Sequence, residues 1–125
     1  MNVRIISPTV HGIIDYSAAI ALIFLPFILG LGSSSPLALW LSVITGAAVV
    51  LVSISTIYRY GFLNVIPFDA HLMIDLMAAT TFTLAPFAFN FSGIDLYYYI
   101  ANGIVVFLVV ALSNNCERHP PTAEA

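Results

Sequence analysis

The sequence predicts an all-α, polytopic membrane protein with four transmembrane helices, arranged as two tandem helical hairpins. Of its 125 residues, 61% are hydrophobic and only 7% are charged, whereas a typical soluble domain carries about 25% charged residues. Three long stretches contain no Asp, Glu, Lys, Arg or His, and about 20 apolar residues suffice for a helix to cross the hydrocarbon core. These stretches cover residues 16–58, 76–94 and 96–116.

Breaks in the apolar stretches indicate where each helix begins and ends. Glycines and serines at 30–35 interrupt the longest stretch, and Pro36 suits the first position of a helix because no N–H is needed there. A second break lies at 90–93. The predicted segments are a first hairpin at 1–58 with helices at about 9–31 and 36–58, an interfacial connector at 59–67, a second hairpin at 68–113 with helices at about 68–91 and 96–113, and a disordered cytoplasmic tail at 114–125.

The few basic residues predict the orientation in the membrane. Arg4, Arg59 and Arg118 lie in the three segments that four crossings place on one side, and the other two loops contain no Lys or Arg. One of those two loops carries Asp95. By the positive-inside rule, we expect a multi-pass protein of the cell inner membrane with both termini cytoplasmic.

Charge also limits the partners of the chain. A net charge of −3 with three basic residues leaves no surface that would neutralise phosphates, so we expect no nucleic-acid binding. The lipid bilayer is the predicted partner of the apolar helices. Because the predicted loops are short, we also expect the chain to pack as a homo-oligomer or within a larger membrane complex.

An internal repeat relates the two predicted hairpins. A shift of 60 residues places the first helix on the third, and a shift of 57 places the second on the fourth, because the second outer loop is three residues shorter. Two copies that each cross twice have the same orientation, which predicts a pseudo-two-fold axis along the membrane normal. The identical pairs in the first and third helices are His11/His71, Ile14/Ile74, Asp15/Asp75, Ala18/Ala78, Ala19/Ala79, Pro26/Pro86 and Phe27/Phe87.

Each hairpin also carries a short motif. A proline-centred tripeptide near the end of its first helix precedes a turn, and the next helix opens with an aromatic residue that is followed six residues later by glycine. These are Leu25-Pro26-Phe27, Trp40 and Gly46 in the first copy, and Ala85-Pro86-Phe87, Tyr97 and Gly103 in the second. Over about residues 8–113 the arrangement resembles the SPW-repeat family of small prokaryotic membrane proteins, whose tripeptide is of the Ser-Pro-Trp type. The resemblance implies the two-hairpin architecture and no particular activity.

Two His-Asp pairs are the candidate functional residues. His11 and Asp15 are four residues apart, as are His71 and Asp75, so each pair lies on one face of its helix. An ionisable side chain inside the bilayer costs about 2.5 to 3.5 kcal/mol on insertion scales, so such residues are rare without a role. If the first and third helices face each other, all four side chains meet near the cytoplasmic side.

Several roles are open for this cluster. In the structural interpretation, each aspartate accepts a hydrogen bond from its own histidine or from that of the other copy, which pins helices 1 and 3 together. Alternatively, the four side chains bind a metal ion, or the two histidines bind haem with the aspartates as orienting groups. A further alternative is a proton or ion relay. Intramembrane hydrolysis would need a spare Ser, His or Glu besides these four residues. We expect a non-enzymatic structural or accessory subunit, because the predicted crossings take up almost all of the chain and leave no sizeable loop for chemistry.

Other residues have local interpretations. Pro26 and Pro86 are predicted to bend the first and third helices, because each removes a backbone hydrogen bond. Asp69 is interpreted as the N-cap of the third helix. Trp40 and Tyr97–Tyr99 are interpreted as part of an aromatic belt at the outer membrane interface.

Overall fold

The computed structural model describes residues 4–114, which form four α-helices and, outside them, two isolated parallel β-bridges. The helices, numbered in chain order, are 19 to 22 residues long, and each is long and apolar enough to cross a membrane. The predicted all-helical membrane fold is therefore confirmed. The bounds are Pro8–Leu29 for α1, Pro36–Ser55 for α2, Phe68–Ala88 for α3 and Ile94–Leu112 for α4.

Serine side chains cap the two helices of the first hairpin. Ser7 Oγ accepts a hydrogen bond from the Val10 amide at 3.3 Å, and Ser35 Oγ accepts one from the Leu37 amide at 3.3 Å. A proline follows each serine, as the sequence predicts for Pro36. Each cap supplies an acceptor for an amide that has no partner within the helix.

The helices of the second hairpin begin differently, and the predicted N-cap at Asp69 is wrong. Pro67 occupies the cap position of α3 without a side-chain hydrogen bond, and Asp69 lies in the first turn of the helix. Asp95 likewise lies in the first turn of α4, rather than in the loop where the sequence suggested it. Carboxylates at these positions complement the partial positive charge of a helix N-terminus.

Close contacts between glycine and a neighbouring carbonyl hold each hairpin together. A β-carbon on Gly46 would lie 2.9 Å from the carbonyl oxygen of Ala19, and one on Gly103 would lie 3.3 Å from that of Ala79. The residues correspond by the shifts of 57 and 60, so both hairpins use the same contact. The absence of side chains at the two glycines lets the backbones of α1 and α2, and of α3 and α4, approach closely.

The two β-bridges join the hairpins at one end of the bundle. Ile6, just before α1, pairs with Ser113, just after α4. Ile66, just before α3, pairs with Thr56, just after α2. Each bridge is held by backbone hydrogen bonds of 2.8 to 2.9 Å. The bridges correspond by the same two shifts, while the pseudo-two-fold axis along the membrane normal stays a prediction.

The bridges also determine where the helices end. The α2 helix stops at Ser55, before the predicted bound near 58, because the Ile57 amide donates to the carbonyl of Ile66 at 2.8 Å. The first residue of the predicted tail, Asn114, donates its amide to the carbonyl of Ile6 at 2.9 Å. The rest of that tail, residues 115–125, lies outside the described residues.

At the opposite end of the bundle, Asp95 of α4 binds the loop between α1 and α2. Its side chain is fully buried. One carboxylate oxygen accepts the Gly32 amide at 2.9 Å, and the other accepts the amide and the hydroxyl of Ser34 at 2.9 and 2.5 Å. We call this arrangement the Asp95 clasp, and it connects the second hairpin to the first.

Two tyrosines extend the connection between the hairpins into the core. The Tyr99 hydroxyl donates to the carbonyl of Ala38 at 2.6 Å, and Tyr98 shares a 2.7 Å hydrogen bond with the hydroxyl of Ser42. Both tyrosines are buried, so their assignment to an interfacial belt is wrong. The neighbouring Tyr97 is exposed, as a belt residue must be.

The prolines lie inside α1 and α3, three residues before the end of α1 and two residues before the end of α3. The carbonyl of Pro26 accepts the Leu31 amide at 2.8 Å, and the carbonyl of Pro86 accepts the Phe91 amide at 2.9 Å. Both hairpins therefore end their first helix with the same backbone hydrogen bond. The bend that each proline is expected to cause stays a prediction.

Candidate functional site

The structure brings the four candidate residues into one cluster between α1 and α3, which we call the His/Asp quartet. It consists of His11, Asp15, His71 and Asp75. Both histidines are completely buried, and the aspartates are 6% and 9% exposed. One ligand atom from each residue can be chosen so that all four atoms lie within 4.8 Å of one another.

Each histidine is closest to the aspartate of the other hairpin. The distance from His11 Nε2 to Asp75 Oδ2 is 2.8 Å, and that from His71 Nε2 to Asp15 Oδ2 is also 2.8 Å. Within each helix the corresponding distances are longer, at 3.2 and 3.3 Å. The quartet therefore joins the two hairpins, and the pairs that the sequence suggested within each helix are the weaker contacts.

The other nitrogen of each ring is bonded to a hydroxyl group that the sequence analysis missed. His11 Nδ1 lies 2.7 Å from Ser113 Oγ, and His71 Nδ1 lies 2.6 Å from Thr56 Oγ1. These two hydroxyls belong to the β-bridges, directly after α4 and α2. A signal was present in the sequence, because Thr56 and Ser113 are separated by the same 57 residues as α2 and α4.

The hydrogen bonds of these hydroxyls determine where the ring protons lie. Ser113 Oγ donates its one hydrogen to the carbonyl of Val109 at 2.6 Å, and Thr56 Oγ1 donates to the carbonyl of Val52 at 2.6 Å. A hydroxyl has a single hydrogen, so each of these oxygens must accept from the ring nitrogen. Nδ1 of both histidines is therefore protonated, and both Nε2 atoms are directed at the aspartates.

Replacing Thr56 by valine keeps the shape of the side chain and removes the acceptor for His71 Nδ1. Because that nitrogen is completely buried, we expect Thr56→Val to lower the free energy of unfolding by about 1 to 3 kcal/mol. Thr80→Val is the matched control, since the exposed Thr80 hydroxyl donates to the carbonyl of Leu76 in its own helix. Chemical unfolding in detergent micelles, followed by circular dichroism, measures both variants. Equal stabilities would contradict the assigned role of Thr56.

Aromatic rings cover the quartet on the side of the β-bridges. The Phe68 ring packs edge-on to His11 and stacks on His71, with centroids 5.2 and 6.0 Å apart. Tyr58 packs against His71, and its hydroxyl donates to Asp15 Oδ2 at 3.3 Å. Burial raises the pKa of Tyr58 above its usual value, so the hydroxyl keeps the proton that it donates.

On its other side, the quartet borders a cavity of about 80 Å³ in the centre of the bundle. Asp15 and Asp75 line this cavity together with two polar residues, Thr45 and Asn102, which correspond by the shift of 57. Most of the remaining wall is apolar. A buried water needs about 10 to 15 Å³ of such volume, so several water molecules fit beside the carboxylates.

The comparison with protein families concerns this same part of the chain. The model of the SPW repeat domain matches residues 9–114, which is most of the sequence and includes the quartet and both β-bridge hydroxyls. The chain belongs to the SPW repeat family. Comparisons with curated proteins and with solved structures found no match. The family match confirms the resemblance that the two proline-centred motifs indicated. The four apolar helices of this SPW repeat protein agree with a multi-pass membrane architecture.

Proposed function

We propose that this SPW repeat protein is a non-enzymatic structural or accessory protein of the cell inner membrane, in which the His/Asp quartet fastens the two hairpins together. One observation carries the proposal. The shortest contacts of the quartet, both 2.8 Å, connect a histidine of one hairpin with an aspartate of the other. Polar side chains that bond across helices are a general means of holding membrane helices together.

The organisation of the described residues supports a structural role. Outside the helices, the longest segment between residues 4 and 114 is the connector at 56–67, and its backbone is bonded to the end of α2. The quartet is covered by Phe68 and Tyr58, and its polar groups face one another. These features suit a protein that works by packing with lipid, with a second copy of itself or with a larger membrane complex.

The proposed orientation places the quartet near the cytoplasm. Arg4 precedes α1, and Arg59 lies between α2 and α3, so both lie at the end of the bundle where the β-bridges form. The Asn114 side chain donates to the carbonyl of Arg4 at 2.7 Å, which brings the two ends of the described chain together. By the positive-inside rule this end is cytoplasmic.

A metal ion is a second candidate role for the quartet, favoured by the direction of the two Nε2 atoms. Haem is less well supported. The imidazole rings lie edge to face with centroids 5.3 Å apart, and each Nε2 is within 3.3 Å of two carboxylates, so a porphyrin would have to displace both aspartates. A proton relay is also less well supported. Among the described residues that line the central cavity, Asp15 and Asp75 are the only ionisable ones, so no other ionisable group there continues a path for protons.

Cutting the connector tests whether the two hairpins are fastened by the quartet. A specific protease site inserted between Phe62 and Leu63, both well exposed, allows the folded chain to be cut after purification. We expect the two fragments of the otherwise unchanged chain to stay together in mild detergent, as measured by size exclusion and native mass spectrometry. With Asp15→Asn and Asp75→Asn together, we expect them to separate.

The matched control for this experiment is the cut chain with Thr80→Val, which leaves the quartet intact. Its fragments should stay together. The proposal fails if the fragments separate without any quartet substitution, or if the fragments that carry both asparagines stay together as firmly as the control.

A further inference from the structure

We infer that the His/Asp quartet is a binding site for one divalent transition-metal ion of the zinc class, with Nε2 of each histidine and one carboxylate oxygen of each aspartate as ligands. This inference rests on the proposed role of the quartet as the joint between the hairpins, and it names what the joint binds. The four side chains supply two nitrogen and two oxygen ligands, which is a ligand set that Zn²⁺ and related ions accept.

The first support is the direction of the ring protons. Because the hydroxyls of Ser113 and Thr56 each donate to a helix carbonyl, His11 and His71 must donate from Nδ1. In a neutral imidazole the other nitrogen, Nε2, then carries a lone pair. A histidine that donates from one nitrogen to a fixed acceptor and presents the other to a metal is the usual arrangement in metal sites.

The second support is a buried nitrogen without a hydrogen-bond partner. Nε2 of His71 is inaccessible to solvent, and it makes no hydrogen bond to any of the described residues. It nevertheless lies 2.8 Å from Asp15 Oδ2 and 3.3 Å from Asp75 Oδ2. Two atoms that bind a common cation need no linear N–H···O alignment between them, so a metal ion accounts for the short contacts of His71. The corresponding nitrogen of His11 lies in hydrogen-bonding geometry, 2.8 Å from Asp75 Oδ2.

The third support is the size of the site. In a tetrahedral zinc site with bonds near 2.0 Å, neighbouring ligand atoms lie about 3.3 Å apart. The four histidine–aspartate distances in the quartet are 2.8, 2.8, 3.2 and 3.3 Å. Asp15 makes its two contacts through different oxygens, Oδ1 to His11 and Oδ2 to His71, and one atom from each residue can be chosen so that all four lie within 4.8 Å of one another. Rotation of the carboxylates is therefore needed to place four ligand atoms at bonding distance from one ion. Ca²⁺ takes six to eight oxygen ligands and Mg²⁺ requires an octahedral shell, so neither suits this set.

Charge is the fourth support. Two aspartates carry two negative charges, and a divalent ion bound between them and two neutral imidazoles gives a site with no net charge. A neutral complex avoids most of the cost of placing ionised groups in an apolar bundle. Tyr58 then donates to Asp15 from outside the ligand set, and the β-bridge hydroxyls keep both rings in position.

Metal binding to the purified full-length chain tests this inference directly. We expect the chain, stripped with a chelator in detergent micelles, to take up one Zn²⁺ per chain in a calorimetric titration and by elemental analysis. Co²⁺ is expected to bind in the same ratio and to give the intense visible absorption of a four-coordinate ion. Cys116→Ser combined with His119→Gln is the control for the other metal-binding side chains of the sequence, and it should bind equally well.

Two further variants separate ligands from supporting residues. His71→Gln removes a ligand, and we expect stoichiometric binding and the cobalt absorption to be lost. Thr56→Val keeps all four ligands and removes the group that orients His71, so we expect a Kd that is about 10 to 100 times higher. Thr80→Val should bind as the unsubstituted chain does. Circular dichroism of each variant establishes that it is folded.

The outcomes distinguish this inference from the proposed function. If the unsubstituted chain binds neither ion, or if folded His71→Gln binds as tightly as the unsubstituted chain, the metal site is disproved. In that case, the proposed role of the quartet in joining the hairpins would still be supported if the fragments of the unsubstituted chain stay together and those with both asparagines separate. If the chain binds the ion and the fragments nevertheless separate, the proposed joint fails and the metal site stands.

Discussion

Asp75→Asn lowers the free energy of unfolding by about 3 kcal/mol, which is the expected result of removing one partner from a buried set of charged groups. Asp75 lies within 3.3 Å of Nε2 of both histidines, so its loss leaves two buried imidazole rings with one neighbouring carboxylate instead of two. Asparagine has nearly the same shape as aspartate, so the substitution creates no cavity. The decrease in the free energy of unfolding therefore reflects the loss of the carboxylate group. Chemical unfolding in micelles, followed by circular dichroism, gives the difference.

Asp69→Asn is the matched control for this prediction. It makes the same substitution in the same helix, at an exposed carboxylate in the first turn. We expect it to cost less than about 1 kcal/mol, because the interactions of an exposed carboxylate, whether with a helix terminus or with another side chain, contribute only about that much. Asp15→Asn combined with Asp75→Asn should cost less than the sum of the two single changes, since both act on one network. A loss at Asp75 no greater than that at Asp69 would contradict the assigned contacts.

Asp95→Asn is expected to lower the free energy of unfolding by about 2 to 3 kcal/mol, because hydrogen bonds to a charged group contribute about 1.5 to 3 kcal/mol. The carboxylate accepts three hydrogen bonds, from the Gly32 amide and from the amide and hydroxyl of Ser34. Asparagine replaces one acceptor oxygen by an NH₂ group that faces donors. Amide hydrogen exchange at residues 31–35 should therefore become faster, while exchange at the β-bridges stays unchanged.

Ser34→Ala and Asp69→Asn complete the test of the Asp95 clasp. Ser34→Ala removes one of the three hydrogen bonds and should have an intermediate effect. Asp69 is again the matched position, since it is the first-turn acid of α3 as Asp95 is of α4. If the loop exchanges no faster in Asp95→Asn than in Asp69→Asn, the clasp does not hold the loop.

Much of the architecture could be predicted from the sequence because the bilayer imposes simple requirements. Long uncharged stretches predict helices that cross the membrane, and polar groups inside them are rare enough to be noticed. The repeated spacing of His11 and Asp15 at His71 and Asp75 therefore identified the quartet. Which histidine meets which aspartate depends on how α1 and α3 face each other, and spacing along one helix carries no information about that.

Sequence analysis missed or misplaced residues whose roles depend on contacts with other parts of the chain or on where a helix begins. Thr56 and Ser113 are ordinary hydroxyl residues whose importance arises from the β-bridges, which are contacts between distant parts of the chain. Asp95 was assigned to a loop because charged residues were used to find the ends of the helices. In the structure its side chain is buried, and its carboxylate accepts three hydrogen bonds from the other hairpin. Asp69 was assigned to a cap position that Pro67 occupies.

The two β-bridges have a consequence for how such a protein could arise. Each bridge joins the beginning of one hairpin to the end of the other, and each carries the hydroxyl that orients a histidine. A chain of one hairpin could therefore pair with a second copy of itself and assemble the same two bridges and the same four side chains as a homodimer. Duplication and fusion of a gene for one hairpin would then give this chain, in which the Asp95 clasp extends from the second hairpin to the first.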